Sequence, residues 1–319
     1  MIKRIIDFIL FFLYNYNGDI MWITSALLTF LCWGSADLFY KIGNNKKDNH
    51  SHIKTGIFVG FVMGIHAIIY LIVKNVNINI IDLLKYLPVS LFYISSMVIG
   101  YKGLRYLELS ISSPIQNTSG VITAILLAIF FKETLEIPAI IAFILIFIGI
   151  FLLSLIEIKE NKKEREEYRK NNTKQKVIVF TIIFPLVYCL LDGAGTFLDA
   201  IYLDKKEIIN EDTALVAYEF TFLIYGVISY IFLKFKHEKI NIFKEKSKIG
   251  AALLETGGQF FYVFAMAGNS TIAAPIVGSY CILSLLLSRI FLKEKLSFIE
   301  YVAIFLVIIG IVILSFLDI

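Results

Sequence analysis

Charge and reactive side chains are scarce in this chain. Only 18% of its 319 residues are Asp, Glu, Lys or Arg, and it has four histidines and three cysteines. Cys32, Cys189 and Cys281 each lie inside an apolar segment and share no metal or redox spacing, so they read as buried structural thiols. No HExxH, DDxxD-like or GxSxG arrangement occurs, and without such a convergent set a membrane-embedded enzyme or lipid-processing protein is the weaker reading. No Walker motif is present, which argues against ATP-driven pumping by this chain alone, and no cofactor or metal is implied. The net charge of +4 is concentrated in a few loops and speaks to membrane orientation, not to nucleic acid.

What the chain has in abundance is apolar surface. Hydrophobic residues make up 58% of it, with 28 Phe and 17 Tyr, and the mean hydropathy is +0.78. No soluble core could hide that much, so the accounting becomes one of membrane spans of about 20 apolar residues each. Ten are predicted: 21–41, 55–73, 83–106, 110–131, 137–156, 177–202, 213–233, 249–268, 271–292 and 298–317. The runs are continuous and lack alternation, which makes them helices, not barrel strands. The fold class is therefore an all-α polytopic membrane protein.

The end of the chain repeats its middle. Residues 100–157 align without a gap on 261–318, an offset of about 161 with about 17 of 58 positions identical. Pro114 falls on Pro275, Lys132-Glu133 on Lys293-Glu294, Leu135 on Leu296, Gly149 on Gly310 and Ser154 on Ser315. The prolines read as helix starters, because a first-turn proline lacks only an N–H that would have had no partner. The Lys-Glu pairs read as helix ends at the water interface, where lysine complements the helix dipole, and the glycines as sites of close helix packing. The chain thus divides into an N-terminal extension (1–20), a first five-helix repeat (21–156), a charged linker (157–176) and a second five-helix repeat (177–319). An odd number of spans per half puts the second half in the bilayer upside down. The repeats are inverted, an architecture that permits alternating access to a site between them.

At this point the residues resemble a known family. Trp33-Gly34-Ser35 in the first span, the run GLRYLELSISSPIQ from Gly103 to Gln116, and the FFKETL and FLKEKL ends of the fourth and ninth spans are similar to the drug/metabolite transporter superfamily, in its ten-helix EamA-like branch. The resemblance covers Met21 to Ile319. It implies the ten-helix fold and carriage of a small metabolite, while the superfamily's range of amino acids, sugars, nucleotide sugars and drugs leaves the substrate open.

Ionisable residues inside apolar spans are expensive and normally face a cavity or a partner. Asp37 lies four residues after Trp33, and Asp192 four after Tyr188, so each pair shares a helix face. Taking Trp33 and Tyr188 as counterparts across the repeat makes the two aspartates counterparts as well. Glu219 and Glu255 add two carboxylates, the latter with Gln259 one turn later. Lys102 is the candidate buried partner of a carboxylate, whereas Arg105 and Arg289 read as snorkelling, Asp199 as an interface residue and His66 as a packing residue. Trp33, Tyr40, Tyr188, Tyr262 and Tyr280 are candidate aromatic walls for a cationic group. Asn117, beside Gln116, Thr118 and Ser119, forms an uncharged hydrogen-bonding cluster suited to a metabolite or to holding helices together.

These residues predict a secondary active transporter in the cell membrane, moving an amino acid, amine or related solute by alternating access, with proton coupling through its carboxylates. A sugar or nucleotide-sugar carrier is the alternative within transport; a membrane-embedded enzyme or accessory subunit is the alternative outside it. The expected partners are a small-molecule substrate and the lipid bilayer, and a homodimer is one assembly open to the chain. Loops after odd-numbered spans hold about 23 of the 30 Lys and Arg, which makes them cytoplasmic. Both chain ends then lie outside, against the orientation the resemblance implies, unless the N-terminal segment enters the membrane and changes the parity.

Overall fold

A computed structural model describes residues 18–44, 48–75, 78–132, 136–170, 183–238, 240–293 and 297–316. These residues form helices joined by short turns. The first half comprises α1 (Gly18–Gly43), α2 (Ser51–Lys74), α3 (Ile80–Gly103), α4 (Leu109–Gln116), α5 (Thr118–Phe131) and α6 (Ile137–Lys170). The second comprises α7 (Ile183–Ala200), α8 (Glu211–Phe235), α9 (Lys246–Gly278), α10 (Cys281–Leu287) and α11 (Phe298–Phe316). Among the described residues, seven segments are long and apolar enough to cross a membrane, and three shorter apolar helices occupy 137–149, 276–292 and 298–310.

Local signals set the helix ends. The side chains of Asn79 and Asn210 accept from the backbone N–H of Ile81 (3.0 Å) and Thr213 (2.8 Å), capping α3 and α8. The matched lysines Lys132 and Lys293 both adopt the left-handed conformation that closes a helix, at φ 55° and 60°. Their neighbours Glu133, Leu135, Glu294 and Leu296 lie outside the described residues, as do 1–17 and 171–182. Residues 157–170, expected as linker, continue α6 as helix.

Two expected spans are not continuous. The fourth is broken at Asn117, between α4 and α5. The ninth, expected to start afresh at Thr271, runs on from the eighth through a kink at Asn269 (φ −155°, ψ 90°) and is interrupted at Ser279–Tyr280. At the offset of 161, Asn269 matches Glu108 before α4, and Gly278 matches Asn117. The two breaks meet: a Cβ on Gly278 would stand 3.0 Å from the Asn117 carbonyl. An apolar run reads as continuous in sequence whether or not its backbone breaks, and only the glycine and the small polar residues around it hint at the interruption.

The main helix contacts run between the halves: α1 packs on α9, α2 on α8, α3 on α7 and α6 on α11. In the last pair the contact is reciprocal. A Cβ on Gly149 would meet the Ala303 carbonyl at 2.6 Å, and one on Gly310 would meet the Ala142 carbonyl at 2.8 Å. Both residue pairs differ by the same 161, so a pseudo-two-fold axis relates them. Because the number rises along α6 as it falls along α11, the two helices run antiparallel. Leu27, Ile65, Ile72, Leu91, Ile144, Ile224 and Phe305 are exposed around the outside, a girdle that only lipid or another apolar surface satisfies. Between the halves, buried aromatic and hydroxyl side chains surround a central cavity.

Candidate functional site

Carboxylates placed by α1, α7 and α9 converge on that cavity. Its lining includes Trp33, Asp37, Asn117, Tyr188, Asp192, Glu255 and Tyr280, together with Tyr40, Tyr93, Tyr101, Gln116, Ser119, Thr196, Tyr218 and Tyr262. Counted together with the open solvent at its mouth, the empty space is ≈ 740 Å³. Of the ten candidate site residues, these seven come together and Lys102, Glu219 and Gln259 do not.

Each carboxylate is held by hydroxyls. Asp37 accepts from Ser113 Oγ (2.6 Å) and Ser284 Oγ (2.8 Å), both on the same oxygen, Oδ2. Asp192 accepts from Ser119 Oγ (2.7 Å) and Ser96 Oγ (3.4 Å). Glu255 accepts from Tyr40 (3.1 Å), whose own hydroxyl accepts from Tyr101 (3.0 Å). Each hydrogen bond to a charged group contributes about 1.5–3 kcal/mol, whereas withdrawing one ion from water costs several. Hydroxyls therefore hold these groups in place without neutralising them, and no Lys or Arg is among the described lining residues.

The walls are aromatic because small residues make room. The Trp33 indole fills the space over Gly258, donates from Nε1 towards the Glu255 carbonyl (3.4 Å), and lies 5.0 Å from the Tyr262 ring and 5.9 Å from that of Tyr280. The Tyr188 ring occupies the space over Gly100, and its hydroxyl reaches Met97 Sδ (3.4 Å).

The remaining sequence candidates sit elsewhere. Lys102 is exposed at the end of α3, over the Phe184 ring, and pairs with no cavity carboxylate. Glu219 lies between α2 and α8, where His66 Nδ1 stands 2.7 and 2.9 Å from its two oxygens, so His66 is a hydrogen-bond partner as well as a packing residue. Gln259 is buried one turn from Glu255 with Nε2 lacking a protein partner. Asp199, expected at an interface, is fully buried and bonded by Tyr86 and Tyr93, the latter also 2.7 Å from the Tyr262 hydroxyl.

The pairing of Asp37 with Asp192 is corrected by the contacts. Thr29 Oγ1 bonds the Gly258 carbonyl as Tyr188 bonds Met97, and Ser284 Oγ bonds the Gly34 carbonyl as Thr123 Oγ1 bonds that of Gly193. Leu283 faces Gly34 as Ile122 faces Gly193. With the offset of 161 for α3–α5 against α9–α10, every one of these matches gives 159 for α1 against α7. Trp33 then corresponds to Asp192, Asp37 to Thr196 and Tyr40 to Asp199. Spacing four apart repeats on every helical turn, so it assigned the face correctly while slipping the register by one turn.

Ser96, Ser113 and Ser284, the hydroxyls on the carboxylates, went unnoticed in the sequence, as did Tyr93 and Tyr101. A signal existed for the tyrosines: Tyr93, Met97 and Tyr101 recur every four residues on one face of α3.

Comparison with known proteins agrees with this architecture. A solved structure described only as the crystal structure of a protein superposes with a TM-score of 0.63 at 10% identity, over 94% of this chain and 98% of that one. At that identity the likeness concerns the fold alone. The uncharacterized protein MJ1333.1 of Methanocaldococcus jannaschii is 35% identical over 138 residues, which are 42% of this chain and 95% of that protein. That relative is about as long as one half. The sequence model of the EamA-like transporter family matches twice, over residues 20–155 and 205–316, and the protein belongs to that family of multi-pass membrane proteins.

Proposed function

We propose that this protein is a secondary active transporter for a small organic solute bearing an amine, an amino acid or a related compound, in the cell membrane. One observation carries the reading: Asp37, Asp192 and Glu255 face a single aromatic-walled cavity whose described lining holds no Lys or Arg. A buried carboxylate away from water requires a cation or a proton, and a solute ammonium supplies the first. The substrate amine binds between Asp37, whose Oδ1 is left by the two serines, and Asp192, with Trp33 and Tyr280 as cation–π walls. Asn117, Gln116 and Thr196 orient the uncharged part.

The reading extends to ten spans in two inverted halves, for which the antiparallel, reciprocal contact of α6 and α11 is the support. Such an architecture opens its central site to either side by nearly equivalent rearrangements. A proton that replaces the substrate on a carboxylate during the return step couples transport to pH. Members of this family are transporters, so no catalytic step is assigned to these residues.

A neutral sugar is the second reading, favoured by the hydroxyl and amide groups of the lining. A nucleotide sugar fits less well, since its phosphates would meet three carboxylates and no described basic side chain.

Transport in proteoliposomes at two pH values, screened over amines, amino acids and sugars, tests the proposal. Asp37→Asn, Asp192→Asn and Glu255→Gln should each lower amine transport about 10- to 100-fold, the equivalent of one charged hydrogen bond. Glu219→Gln, outside the cavity, should transport at a rate within about threefold of the parent. Normal transport with unchanged pH dependence in all three cavity variants would overturn the reading.

A further inference from the structure

At the membrane face where α1 and α3 end and α2 begins, the described residues bring together a group of basic side chains. Arg105 occupies the turn after α3 and is 6% exposed, yet its Nε is buried without a partner. Its guanidinium lies 5.3 Å from the Tyr106 ring, which stacks on Phe184, and Lys102 covers that second ring at 5.5 Å. Aromatic faces stabilise a cation by about 0.5–2 kcal/mol. That is less than the several kcal/mol lost in burying it.

Other basic groups converge here. Lys41 Nζ donates to the carbonyls of Leu104 (3.1 Å) and Leu107 (2.5 Å), on either side of Arg105. His52, in the first turn of α2, is within electrostatic reach of Arg105, Lys102 and His50, and its Nδ1 is also buried without a partner. Among the described residues the carboxylates on this face each have partners, Glu108 included, although Asp48 also lies within electrostatic reach of His52. Asp48 takes Lys54 (2.8 Å) and the His50 amide (2.9 Å), Glu238 takes His50 (3.0 Å), and Glu245 takes Lys248. Two buried nitrogens without a protein partner, Arg105 Nε and His52 Nδ1, beside the ammonium groups of Lys41 and Lys102, complement an oxyanion when the imidazole carries its proton on Nδ1.

We propose that Arg105 and His52, with Lys102 at the rim, form a binding site for a phosphate-type oxyanion, separate from the carboxylate cavity. The planar guanidinium presents paired N–H groups that match two phosphate oxygens, and the imidazole supplies a third donor. An anionic lipid headgroup and a soluble phosphate share this chemistry. The site stands or falls independently of what the central cavity carries.

The full-length protein, purified and reconstituted in nanodiscs with or without phosphatidylglycerol in phosphatidylcholine, tests this through lipid retention by native mass spectrometry. A parallel arm measures melting in detergent with sodium phosphate against sodium chloride at equal ionic strength. The parent should retain phosphatidylglycerol, which identifies a headgroup site, or melt higher in phosphate, which identifies a soluble oxyanion. Arg105→Gln should lose whichever effect the parent shows, while Lys234→Gln, an exposed cation on α8, should keep it. Should Arg105→Gln not fold, His52→Gln is read in its place. Equal behaviour of the parent and the Arg105 or His52 variant in both arms overturns the proposal, as does an equal loss in Lys234→Gln.

Discussion

Single side chains in this protein are polar where the fold can bond them and apolar almost everywhere else, so the exceptions are informative. Gln259 is one: its amide nitrogen is buried without a protein partner, and such a group costs about 1–3 kcal/mol. Gln259→Met removes the donor at similar volume and should melt at or above the parent temperature in detergent, with the cavity carboxylates untouched. Tyr86 is the opposite case, since it is wholly buried and donates to Asp199. Tyr86→Phe leaves that carboxylate with the longer bond to Tyr93 and should destabilise by about 1–3 kcal/mol, seen as a lower melting temperature. Asp199 also shows what the sequence concealed. It stands near the end of an apolar run, where an aspartate ordinarily meets water, and its burial depends on tyrosines of α3 that are more than a hundred residues away in the chain.

Among the elements, helix existence was legible and helix continuity was not. Apolar length located the helical segments among the described residues, seven of them long enough to cross a membrane, because the cost of placing polar backbone in lipid leaves little alternative to a helix. The breaks at Asn117 and at Ser279–Tyr280 depend on where two helices cross, which one chain segment does not encode by itself. Register between α1 and α7 was likewise misread, since helical periodicity fixes a face and leaves the turn undetermined. The corrected register makes a contrast that can be measured. Gly34 and Gly193 occupy mated positions, but a Cβ on Gly34 would come within 2.8 Å of Leu283, whereas one on Gly193 finds its nearest neighbour at 3.5 Å. Gly34→Ala should therefore destabilise by about 1–3 kcal/mol through overpacking. Gly193→Ala should be neutral or stabilising by up to about 1 kcal/mol, since alanine is the better helix former. Equal losses of melting temperature in the two variants would contradict this difference in clearance.

For the molecule as a whole, the packing pattern says that neither half is a finished unit. α1, α2, α3 and α6 all bury their faces against helices of the other half. Two fragments, residues 1–170 and 171–319, should therefore co-purify when expressed together and recover transport. Either fragment alone should fail to yield a stable protein, as size-exclusion chromatography in detergent would show. The duplicated scaffold was visible in the sequence through its prolines, lysines and glycines, while the chemistry of the cavity comes from positions at which the copies differ.

One such difference reaches further. Tyr40, in the cavity wall, stands in the first half where Asp199 stands in the second, so a phenol is answered by a carboxylic acid buried behind the wall and bonded to Tyr93. If the halves exchange roles during a transport cycle, as proposed, a perfectly duplicated machine would rest equally well facing either compartment. This one has unlike ends, and the two resting poses must differ in energy. On that proposal the empty carrier would wait preferentially on one side even with no gradient applied.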